Sequence, residues 1–451
     1  MFRTHDEAVA WILSFVNWER VRSRKTMTVT PADRLRFEKA LGRLGHPERA
    51  VPAIHVGGTN GKGSTAAVAR ALLSAHGLTT GLYTSPHLVD MRERVSIDGR
   101  PIGKAAFVRA ARQAALIVDA APGSGFRTTF EILTALAFTA FRDAGVEAMV
   151  IEVGLGGKLD STNVLHPRAV VITSISLDHT EVLGDTVGAI AADKAGIFRR
   201  GVPVVSAHQP PAAAAALARR ARRLGAPLET VGREIQVTPA VATARGERFT
   251  VTTPLARYAD LELALRGAHQ AGNAALALRA VELFLGRALD PAAVQSAFRS
   301  VRWPGRFEVL ATRPPMVVDG AHNPGGAATL AENLERHFPG RPFVAVLGVS
   351  EGKDVAGILA ALAPRLAGLV AVEAAHPRAM AADRLAALAR KAGVPRVETA
   401  AGLPAALTLA HRLAGPSGGV VAAGSLYLVG DVLALNKKGA GPRKGPAPKR
   451  A

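Results

Sequence analysis

Short runs of β-branched residues alternate along the chain with longer alanine- and leucine-rich stretches whose apolar positions recur at helical spacing. The runs predict buried strands at 51–56, 148–153, 169–174, 202–206, 316–319, 343–349, 369–372 and 419–423. The longer stretches predict helices at 62–76, 130–144, 326–337, 355–366, 381–392 and 404–413. Strands that alternate with helices favour parallel sheets covered by helices on both faces. We therefore predict an α/β fold.

The pattern changes at three places along the chain. Residues 229–266 have short alternating segments and few helix signals, which predicts a small antiparallel insert. We place the domain boundary just before Trp303-Pro304-Gly305, which gives domains 1–298 and 299–436. Residues 437–451 hold six basic residues, no acidic residue and no apolar period, which predicts a disordered basic tail.

The apolar residues 8–16 predict a core-facing helix. They follow Asp6 and Glu7, and they lack the basic start and the small-residue cleavage site of a signal peptide. No run of 18 apolar residues occurs, so we expect no membrane span. We expect a cytoplasmic protein.

Composition excludes several kinds of site. The 451 residues include no cysteine, which excludes disulfides, thiol nucleophiles and cysteine-ligated metals. The formal charge of +20 suits anionic ligands, and a basic nucleic-acid-binding protein is an alternative from a different functional class. However, aromatic residues make up only 5%, so platforms for base stacking are poorly supplied. Nucleic acid is therefore not an expected partner.

A glycine-rich segment, GGTNGKGST at 57–65, follows the first predicted strand and precedes a predicted helix. In this arrangement backbone N–H groups and a helix N-terminus face phosphate, and Lys62 would reach the β- and γ-phosphates. The strict pattern G-x-x-x-x-G-K-[ST] is not met, because Val56 and Gly63 occupy two of its defined positions. We predict a nucleotide-binding loop whose Mg²⁺ ligand comes from a later hydroxyl or from another segment.

Further chemistry-bearing residues follow later strands. Glu152 ends a predicted strand, and Asp178-His179-Thr180 follows the next one. The carboxyl ends of parallel strands meet at the edge where such sheets bind ligands, and a carboxylate there suits Mg²⁺. Lys194 lies near the end of a helix that Asp185 could cap, where its charge would balance the helix dipole.

Ten segments in order resemble the folylpolyglutamate synthase/dihydrofolate synthase family, within the Mur ligase superfamily. They are GGTNGKGST (57–65), YTSPHL (83–88), TFEILTALAF (129–138), EVGLGGKLDSTNV (152–164), TSISLDHTEVLGDT (173–186), DKAGIF (193–198), HQAGN (269–273), WPGRFEV (303–309), DGAHNPGG (319–326) and GSLYLVGDV (424–432). The resemblance covers about residues 50–432. It implies a P-loop ATPase domain with a mainly parallel sheet, followed by a smaller Rossmann-like α/β glutamate-ligase domain.

The resemblance also implies an ATP- and Mg²⁺-dependent amide ligase. The γ-phosphate would pass to a carboxylate of the pterin-bearing substrate, and the amine of L-glutamate would then attack the acyl phosphate. ATP-binding positions would be Thr59, Asn60, Gly61, Lys62, Gly63, Ser64, Asn273, Arg306 and Asp319. Metal ligands would be Ser85, Glu152, His179 and a carbamylated Lys194. The catalytic residues would be Lys62, Glu152, His179 and Lys194. Substrate-binding positions would be Thr128, Thr129, Phe130, Glu131, Leu159, Asp160, Ser161, His322 and Ser425.

Two departures from the family pattern affect the acceptor site. Lys158 and Ser161 stand where the family often has Arg and Ala, and Lys lacks the bidentate fork of Arg. Residues 17–37 fit the N-terminal pterin-contacting segment poorly, so no substrate residue is assigned there.

The acceptor is left open by the sequence. Dihydropteroate would make the enzyme a dihydrofolate synthase, and reduced folates would make it a folylpolyglutamate synthase; a bifunctional, monomeric enzyme is the leading interpretation. Another Mur-type amide ligase is the alternative within the superfamily. Peptidoglycan-precursor ligases carry a domain of about 100 residues before the loop, whereas 56 residues precede Gly57 here.

Overall fold

The structure, a computed structural model, describes residues 2–17, 19, 29–119 and 128–437, without the side chains of 117 and 119. It divides into two compact units, Met1–Trp303 and Pro304–Ala451. The predicted tail lies outside the described residues except for Lys437, as does much of the poorly matching segment 17–37. No helix in the described part of the chain is both long and apolar enough to cross a bilayer.

The first unit contains twelve described strands and ten described α-helices. The strands are β1 Ala53–Gly57, β2 Thr80–Tyr83, β3 Val95–Ile97, β4 Arg100–Pro101, β5 Ala148–Glu152, β6 Ala169–Ile172, β7 Val204–Ser206, β8 Leu228–Thr230, β9 Gln236–Val237, β10 Val241–Ala242, β11 Glu247–Thr252 and β12 Arg257–Leu263. The helices are α1 His5–Leu13, α2 Pro31–Arg43, α3 Lys62–Ala75, α4 Lys104–Asp119, α5 Thr129–Asp143, α6 Thr180–Leu183, α7 Val187–Lys194, α8 Pro211–Leu224, α9 His269–Leu285 and α10 Pro291–Ser300.

The main sheet of this unit has eight strands in the order β4-β3-β2-β5-β1-β6-β7-β8. Strands β2, β5, β1, β6, β7 and β8 are parallel, and β3 and β4 extend one edge in antiparallel pairing. Strand β1 therefore lies between β5 and β6. Loops that leave the carboxyl ends of these three strands meet at one edge of the sheet.

Helices cover both faces of the sheet, as the alternating pattern predicts. Along β5, Ala148 and Val150 pack in the cluster that contains α3 and α9, whereas Met149 and Ile151 pack in the cluster that contains α4 and α5. Successive side chains of a strand point to opposite faces, so a strand buried on both faces is apolar throughout.

Residues 8–13 of the N-terminal apolar stretch belong to α1, with Ala8 and Ile12 fully buried, which confirms a core-facing helix; residues 14–16 lie beyond its end. Its first turn is fixed by a reciprocal capping box between Thr4 and Glu7.

The predicted antiparallel insert is shorter than expected. Strands β9 to β12 form a separate antiparallel sheet, as predicted. Strand β8 overlaps the start of the range 229–266 but pairs in parallel with β7, as the last strand of the main sheet. Its assignment to the insert was wrong because a three-residue edge strand carries too little pattern to reveal its partner.

The second unit is a smaller α/β layer structure. Its strands are β13 Glu308–Thr312, β14 Pro315–Val318, β15 Phe343–Leu347, β16 Leu366–Val372, β17 Val397–Ala400 and β18 Gly419–Ala423, in the order β13-β14-β18-β15-β16-β17. All neighbours pair in parallel except β13 with β14. Its helices are α11 Pro324–His337, α12 Val355–Leu362, α13 Ala382–Lys391, α14 Leu403–Ala414 and α15 Leu426–Lys437.

The predicted helix at 355–366 ends earlier in the structure. Helix α12 stops at Leu362, and a 3₁₀ turn, Ala363–Arg365, leads into β16. Pro364 lies in that turn, and a proline cannot donate the backbone hydrogen bond that would continue the α-helix.

Candidate active site

Two glycines shape the loop between β1 and α3. Gly58 has φ +135°, and a Cβ there would overlap the side chain of Thr173. Gly61 has φ +89° directly before α3, and a Cβ there would lie 2.6 Å from Oδ1 of Asn273. Glycine takes such positive φ values without strain. The tight turn thus requires the glycines that the sequence supplies.

The tip of the phosphate loop is bonded to the segment after β6. The N–H groups of Thr59 and Asn60 donate to the carbonyl oxygen of Ser174 at 2.9 and 3.3 Å. The Thr59 hydroxyl donates to the carbonyl oxygen of Ser176 at 3.3 Å. Nζ of Lys62 donates to the carbonyl oxygen of Thr59 at 3.0 Å, so the lysine lies folded over its own loop. A ligand phosphate placed there would meet this ammonium and the first N–H groups of α3.

The side of the loop at the start of α3 is packed against α9 and the end of the first unit. A Cβ at Gly63 would lie 2.8 Å from Cζ2 of the Trp303 ring. The buried Ser64 hydroxyl accepts from Nε2 of Gln270 at 3.5 Å, and Asn273 Nδ2 donates to Oε1 of Gln270 at 3.0 Å. The indole ring therefore explains why glycine follows the loop lysine. Sequence reasoning missed Gln270 and Trp303, although both lie in matching segments.

Lys194 reaches the phosphate loop from the end of α7. Its Nζ donates to the carbonyl oxygen of Gly58 at 2.7 Å, and the residue is 5% exposed. Burial, and next the positive charge of Lys62, lower the pKa of the Lys194 amine to about 7, while Asp193, Asp178 and other carboxylates act in the opposite direction. Lys194 does lie in the last turn of α7, as predicted, but its side chain turns inward and contacts the phosphate loop, which the dipole interpretation does not include.

The cap of that helix also differs from the prediction. Helix α7 begins after Thr186, whose hydroxyl accepts from the N–H of Ala189 at 3.2 Å. Asp185 is not the cap, because the extended residue directly before the helix is Thr186.

Two of the four predicted metal ligands are in direct contact. Glu152, at the end of β5, is 5% exposed, and its Oε2 accepts the N–H of Ser85 at 3.1 Å. His179 directly precedes α6 and has φ +52°, and its Nε2 lies 3.8 Å from Oδ1 of Asp178. Among the described residues, no group of three or more histidines and carboxylates could hold a metal. A Mg²⁺ site here would thus depend on Ser85 and Lys194 as well.

The four predicted metal ligands fit Mg²⁺ only if the amine of Lys194 is carbamylated. Carboxylate and hydroxyl oxygens are the ligands that Mg²⁺ prefers, and Glu152 and Ser85 supply them. An ammonium group beside Lys62 would add a second positive charge and repel the ion. A carbamate on the same nitrogen would replace that charge with anionic oxygens.

Asp160 organises the glycine-containing segment 152–164, which begins at the end of β5. Its Oδ2 accepts the N–H groups of Gly154 and Leu155 at 3.1 and 2.9 Å, and its Oδ1 accepts the N–H of Thr162 at 3.0 Å. Burial raises the pKa of Asp160, and these donors oppose the shift. The carboxylate thus anchors the loop. Its neighbours Leu159 and Ser161 are half-buried.

The start of α5 holds four predicted substrate residues in different surroundings. Thr128 and Glu131 form a reciprocal capping box, with the Thr128 N–H donating to Glu131 at 2.9 Å. The hydroxyl of the buried Thr129 donates to the carbonyl oxygen of Ile12 at 3.1 Å. Phe130 is half-buried, and its ring lies so close to Gly154 that a Cβ there would overlap it. Of the four, Phe130 offers the ring surface that a pterin could contact.

In the second unit, Arg306 precedes β13, whereas Asp319, His322 and Ser425 follow β14 and β18, which are neighbouring parallel strands. Asp319 is half-buried and accepts the N–H groups of Phe307 and Ala321 at 2.7 and 2.8 Å. Burial raises the pKa of Asp319, and the charge of Arg306 lowers it. His322 Nδ1 lies 2.8 Å from the carbonyl oxygen of Gly320.

Ser425 is buried directly before α15, and its hydroxyl accepts the N–H of Tyr427 at 3.2 Å. The carboxyl ends of β14 and β18 therefore carry the candidate residues His322 and Ser425 on one edge of this sheet.

Comparisons with known proteins agree with this architecture. The Mur ligase middle domain matches residues 56–281, and the Mur ligase glutamate ligase domain matches residues 305–426. The Mycobacterium tuberculosis dihydrofolate synthase/folylpolyglutamate synthase is 40% identical over 398 residues, which are 84% of this chain and 82% of that protein.

Two solved structures extend the similarity to the fold. The M. tuberculosis folylpolyglutamate synthase in complex with ADP has a TM-score of 0.88 at 36% identity, covering 98% of this chain and 100% of that one. An FPGS–AMPPCP–folate complex has a TM-score of 0.78 at 34% identity, covering 95% and 98%. This chain belongs to the folylpolyglutamate synthase/dihydrofolate synthase family of Mur ligases.

Proposed function

We propose that this ligase uses ATP to join L-glutamate to the carboxylate of a pterin-bearing acceptor. The observation that carries the proposal is the bond from Lys194 Nζ to the carbonyl oxygen of Gly58, because it brings the family's modified lysine to the phosphate loop. Glu152 and Ser85 lie in contact at the carboxyl edge of the same sheet. Phosphoryl transfer needs this combination of phosphate-binding backbone and oxygen ligands.

In the first half-reaction, the acceptor carboxylate attacks the γ-phosphorus of ATP, and ADP leaves. Lys62 and the N–H groups at the start of α3 would bind the phosphates and stabilise the charge on the transferred group. Glu152, Ser85, His179 and carbamylated Lys194 would hold Mg²⁺, which supplies positive charge to the phosphate oxygens. Asn273, Arg306 and Asp319 are the further proposed ATP contacts, together with the loop residues 59–64.

In the second half-reaction, the amine of L-glutamate attacks the acyl phosphate, phosphate leaves, and an amide forms with loss of a proton from the amine. The enzyme would gain most of its rate here by holding amine and carbonyl in place. His322 and Ser425 are the proposed contacts for glutamate in the second unit. Phe130, with the segment Leu159 to Ser161, is the proposed pterin-facing surface of the first unit.

The acceptor range is the finer part of the proposal. We favour a bifunctional enzyme, since the M. tuberculosis relative carries both names and an FPGS complex with folate has the same fold. A monomeric state and a cytoplasmic location are also proposed. Light scattering of the purified full chain tests the first, and fractionation of cells tests the second.

The experiment is ATP-dependent incorporation of labelled L-glutamate, with 7,8-dihydropteroate and a reduced folate supplied separately. Incorporation with both acceptors is expected. Incorporation with one alone would name the specialised enzyme. A folded chain that hydrolyses ATP and labels neither acceptor would contradict the folate assignment and favour another Mur-type amide ligase.

The carbamate has its own test, independent of turnover. The full chain is equilibrated with ¹³C-labelled bicarbonate, and the carbamate carbon is observed by NMR. A carbamate signal is expected in the wild type and not in Lys194→Ala. The matched control is Lys353→Ala, in the second unit, which should keep the signal. A signal that survives in Lys194→Ala would remove this lysine from the proposed metal site.

A further inference from the structure

A cavity of about 450 Å³ opens in the first unit between the start of α1 and one side of α4. We call it the α1–α4 cleft; its lining includes Arg3, Lys104, Arg109 and Arg112, with Asp6 as the only carboxylate. Its volume is within the range of small-ligand sites in proteins. None of these residues belongs to the segments assigned to ATP, metal, pterin or glutamate.

The helical repeat of α4 produces this basic wall. Lys104, Val108 and Arg112 are spaced four residues apart, and Arg109 lies alongside them on the same side of the helix. Side chains at this spacing stack along one face. Val108 is buried in the core of the unit, so it holds the face in place while the basic ends of its neighbours line the opening.

The basic groups of the cleft outnumber the carboxylates near them, which are Asp6 in the lining and Glu7, whose pKa is lowered first by the backbone N–H of Arg3 and also by the charge of Arg112. Across the described ranges, no carboxylate forms an ion pair with Arg3, Lys104 or Arg109. Nε of Arg112 donates to the carbonyl oxygen of Phe2 at 3.0 Å, which fixes its guanidinium at the wall. Several like charges around one cavity create a positive potential that attracts anions.

His5, a residue of the lining, has one buried ring nitrogen without a hydrogen-bond partner in the part of the chain that the structure describes. Nδ1 of His5 lies 3.1 Å from Oδ1 of the exposed Asp6 and donates to it. Nε2 of His5 is buried and has no hydrogen-bond partner among the described residues, since Oδ1 of Asp90 is 4.0 Å away. A buried ring nitrogen without a partner is costly unless a ligand or water meets it.

We propose that the α1–α4 cleft binds an anion with several charges, of the oligocarboxylate or oligophosphate class. The distance along α4 from Lys104 to Arg112 is about 12 Å at 1.5 Å per residue. A single carboxylate or orthophosphate carries too few charges to pair with four basic groups spread along that length. An extended anion with repeated charges can contact all of them.

Two sources could supply this chemistry. One is a γ-linked oligoglutamate, which carries a free carboxylate on each residue; this source rests on the proposed function, which would produce such chains. The other is an oligophosphate, which is independent of it. The two are distinguished by titrating the full chain with tetra-γ-glutamate and, separately, with inorganic tripolyphosphate.

The test compares two charge-reversed variants by isothermal titration calorimetry at low salt. Lys104→Glu/Arg109→Glu changes the cleft. Arg245→Glu/Arg248→Glu changes net charge equally at exposed positions of the small antiparallel sheet. We expect the first variant to weaken binding of at least one probe about tenfold or more, and the control to change it less than about twofold. Lys104→Gln/Arg109→Gln, which introduces no negative charge, should give a smaller weakening in the same direction.

Each result decides the proposal. Loss of tetra-γ-glutamate binding alone identifies the oligocarboxylate source, and loss of tripolyphosphate binding alone identifies the oligophosphate source. Loss of both supports the shared class. Equal affinities of the wild type, the cleft variants and the control for both probes would overturn the proposal of an anion site in the α1–α4 cleft. Because calorimetry needs no turnover, a failed glutamate-incorporation assay would contradict the proposed function and leave this result standing.

Discussion

At the scale of single residues, the contact between Gly63 and Trp303 explains the departure from the usual phosphate-loop pattern. A hydroxyl residue after the loop lysine would place its Cβ inside the indole ring. A hydroxyl ligand for Mg²⁺ would then have to come from another segment, and the proposed one is Ser85, whose N–H donates to Glu152. The shape of the loop thus depends on a residue 240 positions away in the chain.

We predict that Gly63→Ala raises KM for ATP by about tenfold or more, because the added Cβ displaces either the start of α3 or the Trp303 ring. Steady-state kinetics with varied ATP measures this. Gly103→Ala is the matched control, since a Cβ there meets nothing within 4 Å. Adding Trp303→Leu to Gly63→Ala should recover part of the ATP affinity. An unchanged KM in Gly63→Ala would contradict the steric role of the ring.

His55 predicts a pH dependence of stability. It is fully buried in β1, with Nε2 2.8 Å from the Thr162 hydroxyl oxygen. Burial, and next the charge of Arg199, lower the pKa of His55 from 6.5 to about 3. Below pH 6.5 the imidazole of His55 therefore becomes protonated in the unfolded chain but stays neutral in the folded chain. As a result, the contribution of His55 to the free energy of unfolding does not change with pH above 6.5. It falls by up to ~1.4 kcal/mol per pH unit as the pH drops from 6.5 towards 3.

The measurement is denaturant unfolding of the wild type and His55→Gln across this pH range. We expect the wild type to lose stability more steeply with falling pH than the variant does. Burial also lowers the pKa of His87 and His269 to about 4, and both remain in each protein, so they cancel in the comparison. If the free energy of unfolding changed with pH in the same way in both proteins, His55 would not be held neutral in the folded state.

At the scale of elements, a buried ion network joins α9 to the edge strand β8. Arg279 donates to both oxygens of Glu229 at 2.6 and 2.8 Å and to Glu282 at 2.9 Å. Glu282 has no exposed surface, and it also accepts from the Tyr258 hydroxyl at 2.7 Å. The network therefore connects the main sheet, α9 and the small antiparallel sheet, and each buried charge has a partner.

We predict that Arg279→Met destabilises the first unit by about 3–5 kcal/mol, because it leaves the buried Glu282 and the half-buried Glu229 without their cation. Denaturant unfolding followed by circular dichroism measures the change. The control is Arg299→Met, whose ion pair with Glu262 at 3.2 Å lies largely in solvent and should cost less than about 1 kcal/mol. Similar losses in both variants would contradict a special role for the buried network.

At the scale of the whole molecule, the charge of +20 is distributed among regions with different roles. The α1–α4 cleft carries part of it on the first unit. Residues 438–451 carry five basic residues and no acidic one. The match to the Mur ligase glutamate ligase domain ends at residue 426, before this segment. Net charge governs nonspecific attraction to polyanions and not the fold.

We predict that a chain ending at Lys437 keeps its kcat/KM for glutamate incorporation within about twofold of the full chain. The same truncation should lower the salt concentration needed to elute the protein from a heparin column, because five positive charges are removed. The wild type under identical buffer is the control for both measurements. A large fall in kcat/KM would assign the tail a part in catalysis.

The sequence by itself determined the α/β class, the phosphate loop and the order of the strand-end residues. These depend on local rules: strands buried on both faces are apolar throughout, and glycines mark the loop that precedes a helix. Because these rules use only neighbouring residues, they also explain which predictions were wrong. Strand β8 was assigned to the wrong sheet and Asp185 was taken as a cap, because neighbouring residues offer similar local signals.

Only the tertiary structure decided which distant side chains meet. The sequence around Lys194 predicts a charge at a helix end, yet its Nζ donates to the carbonyl oxygen of Gly58, which lies 136 residues earlier in the chain. The positions of Trp303 over Gly63 and of the basic residues around the α1–α4 cleft likewise follow from packing. A side chain's burial, its partners and its pKa are set by atoms that the fold brings near it, and no local pattern records those atoms.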